Sequence, residues 1–105
     1  MSKLEKDLQY KILNYIRSNY HGSVAFKVER CSVNSVPDIY ATIPNYGSVW
    51  IETKRDANSK FQPGQLSMIK RLSIGGTPSY AIHSWDKWME LKKEIDMTIK
   101  GELDD

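Results

Sequence analysis

The sequence predicts a small mixed α/β domain whose helices and strands follow the order α-β-β-β-α-β-α. Three observations support this fold class. Near the N-terminus an apolar residue recurs at every fourth position, which is typical of a helix that packs on a core. Three later stretches alternate apolar and polar residues, which is typical of half-buried strands. Pro63, the pair Gly75-Gly76 and the capping residue Ser84 then delimit a second helix, a short strand and a last helix.

The first helix is predicted from its capping signal and its apolar stripe. Ser2 can cap the helix while Glu5 occupies the third helical position, as in a capping box. The stripe continues to about Tyr20, and Gly22 ends the helix. Its apolar members are Leu4, Leu8, Ile12 and Ile16.

Alternating patterns predict strands at 23–29, 38–43 and 48–54, with a turn at 44–47 between the last two. These three strands can form an antiparallel meander. A second helix is expected to begin with Pro63 in its first turn. The strand that follows it can pair in parallel, because the helix carries the chain across the sheet.

Length and composition place the chain in a broad class. Its 105 residues are 40% hydrophobic and 27% charged, which suits one globular domain. No stretch reaches the roughly 18 apolar residues that would span a bilayer. Cys31 is the only cysteine, so an internally disulfide-bonded secreted scaffold is excluded. We therefore expect an intracellular, cytoplasmic protein with no membrane partner.

The charges are unevenly distributed along the chain. Residues 86–105 contain seven acidic and four basic side chains, whereas the rest contains eleven basic and six acidic ones. A basic body with an acidic tail is compatible with a polyanionic partner. An ordinary solvated surface is the alternative explanation.

A pair of carboxylates lies across the predicted hairpin. The apolar residues of both strands must face the same core, which fixes the parity of the register. Pairing around Asn45 then places Tyr40 opposite Trp50 and Asp38 opposite Glu52, with their Cβ atoms roughly 5 Å apart. A shift by two residues is the alternative register, since it would keep the same faces. Like charges at this distance destabilise a sheet unless Lys54 or a divalent cation offsets them.

Two carboxylates and a lysine on neighbouring strands suit metal-assisted hydrolysis of a phosphodiester. Mg²⁺ binds through one or two carboxylates, water and substrate phosphate. The metal can lower the pKa of its bound water and neutralise charge on the phosphate, while Lys54 orients the water or the phosphate. The competing interpretation is a surface salt bridge between Lys54 and the two acids.

Three segments together resemble the VRR-NUC domain, the virus-type replication-repair branch of the PD-(D/E)xK nuclease superfamily. They are Ser35-Val36-Pro37-Asp38, Trp50-Ile51-Glu52-Thr53-Lys54 and Phe61-Gln62-Pro63-Gly64-Gln65. The resemblance extends over about residues 4–88 of a single domain, 1–105, with the last helix and an acidic tail at 85–105. It implies a restriction-endonuclease-like core. The family usually has glycine two residues before the proline, where this sequence has Ser35.

The resemblance implies roles for individual residues. Asp38, Glu52 and the backbone carbonyl of Thr53 match the metal ligands, and Lys54 matches the catalytic lysine. Gln65 matches a glutamine near the active site. Glu5 matches an acidic residue of the first helix, so it is a possible metal ligand as well as a capping residue. The residues expected to contact DNA are Arg30, Lys60 and Lys11, for which surface solvation is the alternative.

The resemblance also implies an activity. Small members of this family resemble Holliday-junction resolvases and act as homodimers, so we expect an Mg²⁺-dependent endonuclease that cuts four-way DNA junctions, with Mn²⁺ able to substitute. Such an enzyme would serve DNA repair and recombination, in the host cytoplasm if a bacteriophage encodes it. A restriction-like endonuclease for linear duplex DNA and a DNA-binding module without catalysis remain alternatives. Trp85, Trp88 and Met89 are either the dimer surface or part of the core.

Overall fold

The computed structural model describes residues 2–101, so the predicted acidic tail beyond Gly101 lies outside the described residues. Within this part of the chain the order of elements is the predicted one. The elements are α1 (Lys3–Asn19), β1 (Val24–Lys27), β2 (Ile39–Ile43), β3 (Gly47–Thr53), α2 (Gln65–Ile74), β4 (Ser79–Ile82) and α3 (Trp85–Ile99).

The four strands form one mixed sheet in the order β1-β2-β3-β4. The first three strands are antiparallel neighbours, and β4 pairs with β3 in parallel after the crossover through α2. Between β2 and β3, Tyr40 lies opposite Trp50 and Thr42 lies opposite Ser48. Both the predicted fold class and the predicted register are therefore confirmed.

The hydrophobic core lies between the sheet and the helices α1 and α3. Alternate residues of β2 and β3 contribute to it, as their parity requires, and Ile12 and Ile16 of α1 are fully buried. Trp88 of α3 is also fully buried, whereas Trp85 packs against the core and Met89 is 36% exposed. Trp88 therefore belongs to the core and cannot form a dimer surface.

The opposite face of the sheet carries a row of aromatic side chains. Phe26, Tyr40 and Trp50 are neighbours across three strands, with ring centroids 5.5 Å and 4.7 Å apart. In β1 the buried residue is Ala25, while Phe26 is 45% exposed. By strand parity, the side chain of Glu52 projects from this same face.

The second helix begins later than predicted. Its first residue is Gln65 and its N-cap is Gly64, whose φ of 85° is left-handed. A left-handed residue cannot belong to a right-handed helix, so Pro63 lies in the preceding turn and not in the first helical turn. None of the three helices in the described part of the chain is long and apolar enough to cross a membrane.

The position of Ile12 in the core makes a stability prediction. We expect Ile12→Ala to lower the free energy of unfolding by about 2–5 kcal/mol, because it leaves a cavity beneath the sheet. Ile74→Ala is the matched control, since Ile74 is 86% exposed at the end of α2. Urea denaturation followed by circular dichroism measures both variants. Equal losses in the two would contradict this description of the core.

Candidate active site

The two predicted acidic residues lie where β2 and β3 come together. The ladder pairs Ile39 with Ile51, so the next positions in the same register are Asp38 and Glu52. Asp38 lies one residue before β2, and Glu52 lies within β3. The hydrophobic alternation on the two strands thus brings the two carboxylates together, as predicted.

The side chain of Asp38 is held in place by Thr53. One carboxylate oxygen, Oδ2, accepts hydrogen bonds from the Thr53 backbone N–H at 2.9 Å and from the Thr53 hydroxyl at 2.7 Å. Thr53 is fully buried, so these bonds satisfy polar groups that could not reach water. The carboxyl group of Asp38 also lies in hydrogen-bonding contact with the carboxyl group of Glu52.

Glu52 occupies an unusual electrostatic environment for a carboxyl group. Its exposed fraction is only 4%. Its pKa is raised from 4.5 to about 8, chiefly by burial and next by the negative charge of Asp38, while Lys54 acts in the opposite direction. Two neighbouring carboxylates, one of them buried, disfavour a second negative charge. A cation between them would remove that penalty.

Lys54 is connected to Glu52 through an amide. The Lys54 Nζ donates to Oε1 of Gln65 at 2.6 Å, and Nε2 of Gln65 donates to Oε2 of Glu52 at 3.0 Å. The same ammonium donates to the backbone carbonyl of Lys60 at 3.2 Å and lies 4.7 Å from the centre of the Phe61 ring. Gln65 therefore fixes the lysine and the glutamate relative to each other.

The surface salt bridge considered as an alternative is wrong. Lys54 is only 8% exposed, and the ion pairs found among residues 2–101 involve other side chains. The acceptors around its ammonium are the neutral oxygens of Gln65 and Lys60. The Lys54 ammonium thus lies near the two carboxylates but forms no ion pair with either of them.

Glu5 lies both in the helix cap and at the cavity of the candidate active site, the two alternatives that the sequence left open. Its backbone N–H donates to the hydroxyl of Ser2, and that hydroxyl donates to the Glu5 carboxylate, each at 3.2 Å. Ser2 is therefore the N-cap of α1, as predicted. Glu5 also lines a cavity of about 380 Å³ together with Asp38, Glu52, Lys54, Lys60 and Gln65.

The three predicted DNA contacts separate in space. Lys60 lies in the same cavity as the carboxylates. Arg30 is exposed in the loop before β2 and lines a different cavity, with Asn34 and Ser35. Lys11 is exposed on α1 and lines a third cavity, with Arg55. Only Lys60 is therefore placed beside the candidate active site.

Two polar side chains near the site were missed by the sequence analysis. The Thr53 hydroxyl was hidden because its position belongs to the apolar alternation of β3. Gln9 lies one helical turn after Glu5 and is 2% exposed, yet its Nε2 has no hydrogen-bond partner within residues 2–101. A buried amide without a hydrogen-bond partner destabilises the fold. In the sequence, Gln9 could be recognised only as a glutamine inside the apolar stripe of the first helix.

The donor set fits a magnesium ion better than a softer metal. Asp38 and Glu52 supply carboxylate oxygens, the ligands that Mg²⁺ and Mn²⁺ prefer. Within residues 2–101, no three His, Cys, Asp or Glu side chains form a metal-binding group, so Glu5 does not complete a triad with the other two. A site with two carboxylates leaves the remaining positions for water and substrate oxygens, which suits Mg²⁺.

Ser35 occupies the position in the loop before Asp38 where the family usually has glycine. Its φ of 69° is left-handed, a conformation that glycine adopts without penalty. The Ser35 hydroxyl donates to the carbonyl of Pro63 at 3.0 Å, and a Cβ added to Gly64 would lie 2.8 Å from that hydroxyl. Ser35 thus links the loop of Asp38 to the turn that presents Gln65.

The fold has close counterparts among solved structures. A structure described as a VRR-NUC domain superposes with a TM-score of 0.76, covering 88% of this chain and 97% of its own, at 21% identity. A VRR-NUC domain protein superposes with a TM-score of 0.71, covering 90% of this chain and 89% of its own, also at 21% identity. No protein-family model and no curated protein matches the sequence. The chain therefore has the VRR-NUC fold, which confirms the resemblance at the level of structure.

The buried Glu52 makes a prediction about stability and pH. Its pKa is higher in the folded chain than the usual 4.5, so the folded state binds an extra proton between about pH 4.5 and 8. The stabilisation is complete below this range and is lost as the pH rises through it, by at most about 1.4 kcal/mol per pH unit. We expect chemical denaturation in EDTA to show this loss, and Glu52→Gln to lack it. Parallel curves for the two proteins would contradict the raised pKa.

Ser35 makes a second stability prediction, based on its backbone conformation. Ser35→Ala keeps the left-handed strain and removes the bond to Pro63, so it should lower the free energy of unfolding by about 1 kcal/mol. Ser35→Gly loses the same bond but relieves strain of about 1 kcal/mol, so it should be nearly neutral. Urea denaturation of both variants checks this order, and a less stable glycine variant would contradict it.

Proposed function

We propose that this protein is a metal-dependent DNA endonuclease that acts on branched DNA, most economically a four-way junction, as a homodimer. The observation that supports the proposal most strongly is the placing of Asp38, Glu52, Lys54 and Gln65 around one cavity. The VRR-NUC fold of the chain agrees with this proposal. The same residues match the acidic, lysine and glutamine positions of the nuclease pattern that the sequence resembles.

The proposed metal site uses the Asp38 and Glu52 carboxylates and the backbone carbonyl of Thr53. Bound Mg²⁺, or Mn²⁺ in its place, would supply a water of lowered pKa and would offset charge on the scissile phosphate. The chain's own part is to hold the ligands still. Thr53 fixes one oxygen of Asp38, and Gln65 fixes one oxygen of Glu52. Glu5 lies at the same cavity, where it can accept a hydrogen bond from a water.

Lys54 is the proposed catalytic lysine. Its ammonium can donate to the attacking water or to a phosphate oxygen that gains charge. Its present acceptors, the Gln65 amide oxygen and the Lys60 carbonyl, are neutral and can be exchanged for a charged phosphate without breaking an ion pair. Lys60, at the edge of the cavity, is the proposed contact to a neighbouring phosphate.

A symmetric dimer follows from the proposed substrate. A four-way junction is resolved by cuts in two strands, and a two-fold dimer offers one such cavity to each strand. Arg30 lies on the loop that leads to Asp38 and is a proposed contact to DNA outside the cavity. Sedimentation of the protein alone and with a junction measures the oligomeric state directly.

The test is cleavage of a labelled four-way junction in Mg²⁺, Mn²⁺ and EDTA. We expect paired nicks that require metal, and weaker or no cleavage of a linear duplex of matched sequence. Asp38→Ala and Lys54→Ala should each lower the cleavage rate by at least about 100-fold while junction binding persists. Glu90→Ala and Lys93→Ala, both exposed on α3, are the matched controls and should cleave normally.

Each other outcome selects a different function. Undiminished cleavage by Asp38→Ala or Lys54→Ala would remove the proposed site. Cleavage of the linear duplex with equal efficiency would favour a restriction-like endonuclease. Binding without cleavage in either metal, by a protein that is fully folded, would favour the DNA-binding module.

A further inference from the structure

A second cavity, of about 480 Å³, lies between α1 and the start of α3. Neither the proposed metal site nor the proposed chemistry uses it. Its wall combines basic groups with an aromatic ring and apolar side chains. The residues that matter for its chemistry are Lys11, Arg55, His83, Trp85, Leu8 and Asp7.

This cavity adjoins the candidate active site. Lys54 lines the active-site cavity and Arg55 lines the second one, and consecutive Cα atoms are only about 3.8 Å apart. The first turns of α1 form a second shared wall, since Glu5 faces the active-site cavity and Leu8 faces the other. Charges along one DNA strand recur at about 3.4 Å of axial rise, so a strand in the active-site cavity carries further phosphates at short intervals beyond it.

The basic side chains of the second cavity have N–H donors without a partner among residues 2–101. Arg55 uses Nε for Asp56 at 3.1 Å, and its two terminal nitrogens make no hydrogen bond to other residues of 2–101. Lys11 lies 5.9 Å from the centre of the Trp85 ring and forms no ion pair within the same range. The four remaining N–H donors of the guanidinium and the three of the ammonium are suited to a phosphate, which offers only acceptors.

Trp85 gives this cavity a flat apolar surface beside its charges. The ring makes an edge contact with Tyr15, at 5.9 Å between centroids, and it lines the cavity. Aromatic side chains next to cationic groups bind unpaired nucleotides, because each base can stack on the ring while its phosphate meets the cation. A paired base in a regular duplex is already stacked and offers no free face.

From this juxtaposition we propose that the second cavity binds an unpaired nucleotide of the DNA strand that leaves the active site, with its phosphate on Arg55 and Lys11 and its base on Trp85. The proposal rests on the proposed function, because it assumes a DNA substrate. It assigns a basis for preferring DNA that offers a single-stranded segment or an opened base pair beside the cut over a continuous duplex. His83 supplies a further donor to the same phosphate.

Binding in EDTA tests the site without requiring cleavage. The probe is a short single-stranded oligonucleotide, compared with the duplex of the same sequence and with inorganic phosphate. We expect Lys11→Ala/Arg55→Ala to weaken binding of the single strand by about tenfold or more and to reduce the salt slope by about 0.7 for each lost contact. The control is Arg71→Ala/Lys93→Ala, which removes the same two charge types from exposed positions outside this cavity.

Tryptophan fluorescence reports the stacking itself. We expect the oligonucleotide to quench emission of the wild-type protein and Trp85→Phe to lose that component, with Trp50 and Trp88 providing the unchanged background. Equal weakening by both double variants, quenching unaffected in Trp85→Phe, or an equal response to inorganic phosphate would overturn the proposal. Thermal denaturation of each variant shows that it is folded before binding is compared.

The two proposals fail in different ways. Cleavage of the junction that is unaffected by the Lys11/Arg55 double variant, with unchanged single-strand binding, removes only the second site. Single-strand binding through this cavity by a protein that cuts no DNA supports the second site and removes only the nuclease proposal.

Discussion

The structure depends on one electrostatic constraint, the proximity of two carboxylates at the end of the β2–β3 ladder. Asp38 and Glu52 continue the register of that ladder by one position, and Glu52 is almost completely buried. Such a pair destabilises a fold unless its oxygens are hydrogen-bonded or its charge is offset. The chain supplies the hydrogen bonds from Thr53 and Gln65, and it leaves a charge that a cation can offset. The arrangement is therefore costly as a structural element and well suited to binding a hard metal ion.

The ammonium of Lys54 donates to neutral oxygens, whereas a lysine that stabilises a carboxylate forms an ion pair with it. Lys54 is buried beside Phe61 and meets neutral oxygens, while Gln65 connects it to Glu52. Because Gln65 lies in the first turn of α2, the position of that helix sets the distance between the lysine and the acid. The turn before α2 is in turn fastened to the Asp38 loop by Ser35. One hydrogen bond outside the cavity thus ties together the two chain segments that form it.

The first helix contributes to two neighbouring cavities through different side chains. Glu5 is held by the N-cap Ser2 and faces the carboxylates, whereas Lys11 faces the cavity that Arg55 and Trp85 line. A capping interaction usually serves only helix stability. Here it also fixes the orientation of an acidic side chain at the candidate active site. The chain step from Lys54 to Arg55 places one basic residue in each cavity, so both can contact a single extended polyanion.

Much of the site could be predicted from local pattern alone. The alternation of Ile39, Ala41 and Ile43 with Val49 and Ile51 determines which faces are apolar, and a shift by one residue would bury a carboxylate in the core. This constraint sets the parity of the register, and pairing around the turn at Asn45 then places Asp38 opposite Glu52. The cap at Ser2 and the order of the elements were likewise visible, because both depend on neighbouring residues. These features are local, so the sequence by itself determined them.

The tertiary structure decided the features that depend on contacts between distant segments. The Thr53 hydroxyl looked like one more member of an apolar face, until the chain before β2 brought Asp38 to it. Trp88 became part of the core, and α2 began at Gln65, because the packing of α3 and the left-handed Gly64 cannot be inferred from periodicity. The cavity that joins Lys11 to Arg55 requires α1 and the end of β3 to meet. Periodicity specifies which face of an element is buried, but only the packed fold specifies which other element covers it.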